Sequence, residues 1–140
     1  MKILYTANAS STGGRDGHSR TDDGKVDVNL STPKEMGGSG GDGTNPEQLF
    51  ACGYSACFLG ALRFVAGKEK VKIPDNATVS AKVSIGPRDD EKGFGIQAEL
   101  LVDIPGLERE QVQDLVNKAH VVCPYSHATK GNIQVTTKVA

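Results

Sequence analysis

No stretch of this chain is both long and free of charge. The longest uncharged run, Gln48 to Leu62, is 15 residues and includes polar members, short of the ~20 that a membrane-crossing helix needs. The N-terminal MKILYTANASSTGG lacks an apolar core of signal-peptide length. Neither charge sign dominates: 16 Lys and Arg stand against 17 Asp and Glu, a net charge of −1. That argues against a nucleic-acid or anionic-membrane partner, both of which favour a basic patch. There is no internal repeat. Three cysteines without a secretion signal do not make a disulfide framework. These absences lead to the expectation of a soluble cytoplasmic protein, and 140 residues suit a single domain, 1–140.

What is present falls into segments. Lys2 to Ala7 reads as a first strand and Ser10 to Gly24, rich in Gly, Ser and Asp, as a charged loop. Val26, Val28 and Leu30 alternate with polar residues, the pattern of a half-buried strand. After a glycine-rich loop, Asn45-Pro46-Glu47 marks a helix start: Asn45 can cap, Pro46 suits the first helical position, and Glu47 lies at the positive end of the dipole. That helix is expected to run to about Gly67, roughly 31 Å at 1.5 Å per residue. Its middle is apolar on nearly all sides, so burial all round is expected. Gly53, Ala56 and Gly60 are spaced so that another backbone can approach one face.

Val79 to Ile85 and Phe94 to Ile104 read as a hairpin across a charged turn. Leu107, Val112, Leu115, Val116, Ala119 and Val122 mark a second helix, which Pro124 ends, leaving Cys123 at its C-terminus. Ile133 to Thr137 closes as a strand. The expected class is α+β, with antiparallel strands and two helices.

The chemistry turns on the cysteines. Cys57, inside the apolar helix, reads either as core packing or as a nucleophile. Burial raises a thiol's pKa, so catalysis requires a cation aimed at the sulfur. Cys123 reads as a helix-end packing residue or as a partner thiol. Arg15, between glycines in Gly13-Gly14-Arg15-Asp16-Gly17, is either a solvated loop arginine or a guanidinium that tight turns bring to a site. Glu47 is an ordinary first-turn acid, or holds an arginine in a two-point ion pair. His120, Cys123 and His127 do not have usual zinc spacing, and Cys52 and Cys57 lie about 140° apart around a helix. No metal is therefore expected. The run at 37–43 has the glycines of a phosphate loop without its Gly-Lys-Ser/Thr ending.

The segments together resemble a known family. GGSGGDGTNPEQLFACGYSACFLGAL at 37–62 and AHVVCPYSHATKGNIQV at 119–135 are similar to the two signature segments of the organic hydroperoxide resistance (Ohr) proteins of the OsmC/Ohr superfamily. LYTANASSTGGRDG at 4–17, PKEMGG at 33–38 and PGLERE at 105–110 fit the same pattern, in order along the whole chain. Cys52 departs from it, standing where a small residue such as alanine is expected; His127 and Lys130 also replace commoner choices.

The resemblance implies the OsmC/Ohr α+β fold: antiparallel sheets, a long buried central helix carrying Cys57, a second helix ending at Cys123, and an intertwined homodimer with active sites at the subunit interface. It implies a thiol peroxidase in which Cys57 is peroxidatic, Cys123 is resolving, and Arg15 and Glu47 activate the Cys57 thiolate. Organic hydroperoxides, fatty-acid ones included, would be substrates. The resemblance further implies no bound cofactor and an external dithiol as reductant, dihydrolipoamide or a lipoylated protein of a metabolic enzyme complex. Phe58, Phe94 and Tyr125 are candidate substrate-binding walls. Three other readings remain open: an osmotically inducible OsmC-type peroxidase, a redox sensor or binding module signalling through the same disulfide, and a non-catalytic structural domain with inert cysteines.

Overall fold

The computed structural model describes residues 1–140, which form two compact units, Met1–Leu49 and Phe50–Ala140. The first unit contains β1 (Ala9–Thr12), β2 (His18–Thr21) and β3 (Asp27–Asn29), paired antiparallel in that order. The turn between β1 and β2 is tight. A Cβ on Gly17 would lie 1.7 Å from the Thr12 carbonyl oxygen, so only glycine fits, while Gly13 and Gly14 adopt left-handed φ of 70° and 58°.

This arrangement overturns the expectation for the N-terminal region. All of the hairpin but Ala9 lies inside the stretch read as loop, and Lys2–Ala7 forms no strand. Pairing in β1 and β2 joins mostly polar residues, as in the 2.6 Å hydrogen bond between the Ser11 and Ser19 hydroxyls, and leaves no apolar alternation to read. The more apolar Lys2–Ala7 has the composition of a strand but no partner strand in its own chain.

The long helix α1 (Pro46–Lys68) begins as its sequence dictates. The Gln48 N–H donates to the Asn45 side-chain oxygen at 2.8 Å, so the cap satisfies an otherwise free donor. The second unit continues with β4 (Thr78–Pro87), β5 (Phe94–Asp103), α2 (Arg109–Val122), α3 (Pro124–Thr129) and β6 (Val135–Val139). β4 and β5 pair antiparallel with Val79 opposite Val102 and Ala81 opposite Leu100, which turns one apolar face toward the helices. β6 pairs parallel to β5. The sheet is therefore mixed rather than antiparallel throughout, because the chain crosses over through α2 and α3 before returning.

Tyr54, Phe58, Leu62 and Val65 of α1, Val112, Leu115, Val116 and Ala119 of α2, and Ala98, Leu100 and Val102 of β5 share one core. Each fully buried Leu or Phe contributes about 1.5–3 kcal/mol. Within one chain α1 is not buried all round. Its buried residues form a single stripe, while Ala56, Gly60 and Phe64 are exposed, Phe64 by 54%. By length and composition α1 would be able to cross a membrane, and one third of its apolar window is buried. The sheet and α2 supply apolar cover for only one side of a helix that is apolar on several.

Candidate active site

Cys57 sits near the middle of α1, half-buried, and Cys123 is the fully buried residue between α2 and α3. Their sulfurs are 3.6 Å apart. A disulfide needs about 2.05 Å, so a closing of about 1.5 Å would join them. Burial pushes the Cys57 thiol above its ordinary value. The Tyr125 backbone N–H, donating to the sulfur, works the other way, and the neighbouring Cys123 adds to the rise. As the two thiols stand, the shift is opposite to the one a working nucleophile requires.

Pro124 fixes the junction. It has no N–H to donate and suits the first turn of α3. The Cys123 N–H closes α2 on the Ala119 carbonyl at 2.9 Å, and the His127 N–H opens α3 on the Cys123 carbonyl at 3.0 Å. The Tyr125 ring lies over α1 where a side chain is missing: a Cβ on Gly53 would stand 2.8 Å from the Tyr125 hydroxyl and 3.1 Å from its ring. The same ring approaches Phe50 and Tyr54 at centroid distances of 5.9 and 5.8 Å.

A polar chain links α1, α3, α2 and β6. The Tyr54 hydroxyl meets Ser126 Oγ at 2.9 Å and Thr129 Oγ1 at 3.3 Å. Ser126 Oγ meets His120 Nδ1 at 2.9 Å, and His120 Nε2 meets Thr137 Oγ1 at 2.7 Å. Burial lowers the His120 pKa below its ordinary value, which favours the neutral ring. The Phe58 ring packs on that of His120 at 4.6 Å. The sequence reading weighed His120 only as a metal ligand. Its hydroxyl partners lie 6 and 17 residues away, a separation that no local pattern reports.

Arg15 and Glu47 form a two-point ion pair in the first unit. Arg15 Nη1 donates to Glu47 Oε2 and Nη2 to Oε1, both at 2.7 Å. Arg15 is presented by the short 3-10 turn Gly14–Asp16 at the tip of the β1–β2 hairpin, and the Asp16 carboxylate braces that turn by accepting from the Thr32 N–H at 3.0 Å. The guanidinium holds the Glu47 carboxyl below the usual carboxylate range, while Glu47 raises Arg15 further.

Among the other residues singled out, Phe58 is fully buried in the core and Tyr125 is 38% exposed beside Cys57. Phe94 stands 71% exposed at the start of β5, outside the apolar cluster. Cys52 is exposed on α1, on a different side from Cys57.

Residues 38–138 match the family model described as OsmC-like protein. The chain is 53% identical over 139 residues to the organic hydroperoxide resistance protein of Xanthomonas axonopodis pv. citri, a match covering 99% of this chain and 96% of that protein. Its fold is similar to the crystal structure of an organic hydroperoxide resistance protein from Elizabethkingia anophelis, with 50% identity, a TM-score of 0.93, and coverage of 100% of this chain and 99% of that one. The organic hydroperoxide resistance protein OhrB of Bacillus subtilis superposes with a TM-score of 0.91 at 43% identity, covering 99% of this chain and 100% of that one.

Proposed function

The chain belongs to the OsmC-like family, in its organic hydroperoxide resistance branch, and on that premise we propose that it is a thiol peroxidase reducing organic hydroperoxides to alcohols. The observation that carries this reading is the pair of free thiols, Cys57 half-buried and Cys123 fully buried, with sulfurs 3.6 Å apart. The Cys57 thiolate attacks the peroxide, the O–O bond breaks, and the alkoxide leaves as the alcohol with one proton. Cys57 becomes a sulfenic acid, which condenses with Cys123 to a disulfide, and an external dithiol of the lipoyl type restores both thiols by exchange.

Burial opposes the thiolate, so a cation is required. Arg15 is assigned that role, with Glu47 orienting the guanidinium through both of its hydrogen bonds rather than touching the sulfur, where its charge would raise the thiol pKa. The Tyr125 ring, packed against Phe50 and Tyr54, offers the apolar wall that suits an alkyl peroxide over hydrogen peroxide. No cofactor is needed. The proposed setting is the cytoplasm, the proposed partners a second copy of the chain and a lipoylated enzyme complex, and neither nucleic acid nor membrane has a part.

The test is steady-state reduction of cumene hydroperoxide and of hydrogen peroxide with dihydrolipoamide as donor. Fast turnover favouring the organic peroxide is expected. Cys57→Ser abolishes it, and Cys123→Ser permits one reaction before stalling or overoxidising. Full activity in Cys57→Ser would overturn the mechanism; a single disulfide event without turnover would favour a sensor.

A further inference from the structure

For Cys123 to intercept a sulfenic acid it must stay beside Cys57, yet its own surroundings are short of intrinsic order. α3 is only six residues, too short to hold itself as an isolated helix. Its seat comes from side chains. His120 reaches three separate segments: Ser126 of α3 through Nδ1, Thr137 of β6 through Nε2, and the Phe58 ring, one residue beyond Cys57, in a tilted ring contact. Ser126 in turn is held by Tyr54 of α1. No buried side-chain nitrogen or oxygen lacks a partner, so the ring is fixed in orientation as well as in place.

We propose that His120 is a positioning residue for the resolving step, tying the Cys123–Thr129 segment to β6 and to the helix that carries Cys57 so that the two sulfurs stay within closing distance. This rests on the reading that Cys123 resolves the Cys57 sulfenic acid. In that step the Cys123 sulfur supplies the electron pair of the new S–S bond, the S–O bond of Cys57 breaks, and the leaving hydroxide departs as water with the Cys123 thiol proton. The thiol is oxidised and the sulfenic sulfur reduced. His120 touches neither peroxide nor sulfur in this scheme; it sets the distance. A competing fate for the sulfenic acid is a second peroxide, giving the sulfinic acid, so a displaced Cys123 is read directly in the products.

The experiment compares His120→Asn, His120→Gln and Ser126→Ala with the unaltered protein after rapid mixing with cumene hydroperoxide. It follows sulfenic acid formation, disulfide closure and the sulfinic fraction by quenched-flow mass spectrometry. An Asn side chain ends near the place of Nδ1 and retains the Ser126 bond; a Gln side chain reaches the place of Nε2 and loses it. Sulfenic acid formation is expected to change by less than about twofold. Closure is expected to fall on the order of tenfold or more in His120→Gln and Ser126→Ala, the scale of an ångström-sized misplacement, with the sulfinic fraction rising, and to recover in part in His120→Asn, which keeps the Ser126 bond but loses the one to Thr137. Equal closure rates in all four proteins would overturn the positioning role. So would an equal loss of both steps, the mark of general damage. If His120→Gln does not fold, Thr137→Val removes the Nε2 partner of His120 while leaving the Tyr54–Ser126 bond in place, and an unchanged closure rate in it overturns the tie to β6. Failure of the unaltered protein to form the Cys57–Cys123 disulfide would instead remove the underlying reading.

Discussion

Arg15 and Glu47 are 32 residues apart, and their two equal hydrogen bonds make a fork that lysine would not reproduce. The pair is partly exposed, with Arg15 35% and Glu47 14% accessible, so solvent screening discounts it, and Glu47→Gln is expected to cost about 1 kcal/mol. Its pH dependence has a definite sign. Because the Glu47 pKa is lowered in the folded state, its contribution is fully present above the ordinary carboxyl value of about 4.3 and fades as pH falls through the folded one. Asp23, Asp90 and Glu99 are lowered as well and act in the same window, so the informative quantity is the difference between unaltered protein and Glu47→Gln. That difference in melting temperature should be constant from pH 6 to 8 and shrink below about pH 4.3; a difference that grows with acid would contradict the ion pair. His120 acts in another window. Its lowered pKa makes stability fall as pH drops below about 6.5, whereas the exposed His18, raised chiefly by its bonds to Asn29 and Asp27, gives up its contribution as pH rises through its folded value.

At the scale of elements, the β1–β2 hairpin is what presents Arg15, and two of its glycines separate steric from conformational demand. Gly14 has a left-handed φ but nothing near its missing Cβ, so Gly14→Ala should cost about 1–2 kcal/mol, the αL strain alone. Gly17→Ala would drive a Cβ to 1.7 Å from the Thr12 carbonyl oxygen, which backbone cannot yield without opening the hairpin. It should cost more than about 2 kcal/mol and weaken the Arg15–Glu47 pair. Thermal melts rank the two, and a milder Gly17→Ala would show the turn to be looser than described. The sequence reports elements unevenly. Asn45-Pro46 announced α1, and the alternation from Val79 to Ile85 and the apolar spacing from Val112 to Ala119 announced β4 and α2, because cap chemistry and periodicity are local. The β1–β2 hairpin carried no such signal, since its residues are mostly polar and none is buried. The parallel pairing of β6 and the hydroxyl partners of His120 depend on a crossover that brings distant residues together, and nothing local encodes them. Cys57 and Cys123 were legible as candidates through family resemblance, but only folding sets their 3.6 Å separation.

At the scale of the whole molecule, two of the apolar stretches that the chain leaves uncovered have a shape that another backbone fits. Ala56, Gly60 and Phe64 line the open side of α1, and Ile3, Leu4 and Tyr5 are exposed by 62, 89 and 79% in a segment with strand-like composition and no strand to join. Monomeric proteins seldom tolerate large contiguous patches of this kind. The proposed second copy accounts for both. Ala56 and Gly60 carry almost no side chain, so another backbone can approach α1 closely, and β1, an edge strand paired only with β2, is a site where a further strand can add. A membrane would also cover the open side of α1, but it would offer no ladder of hydrogen bonds to Lys2–Ala7. A charge placed on the open side decides between them. Ala56→Arg should convert a dimer to a monomer in sedimentation velocity without detergent, because a stable interface cannot bury an unpaired guanidinium. If the reacting site lies at the subunit interface, peroxide turnover should fall with the dimer fraction and recover as protein concentration rises. A protein that sediments as a monomer before any substitution, or floats with phospholipid vesicles, would remove the second copy from the scheme and leave the open side of α1 to a lipid surface.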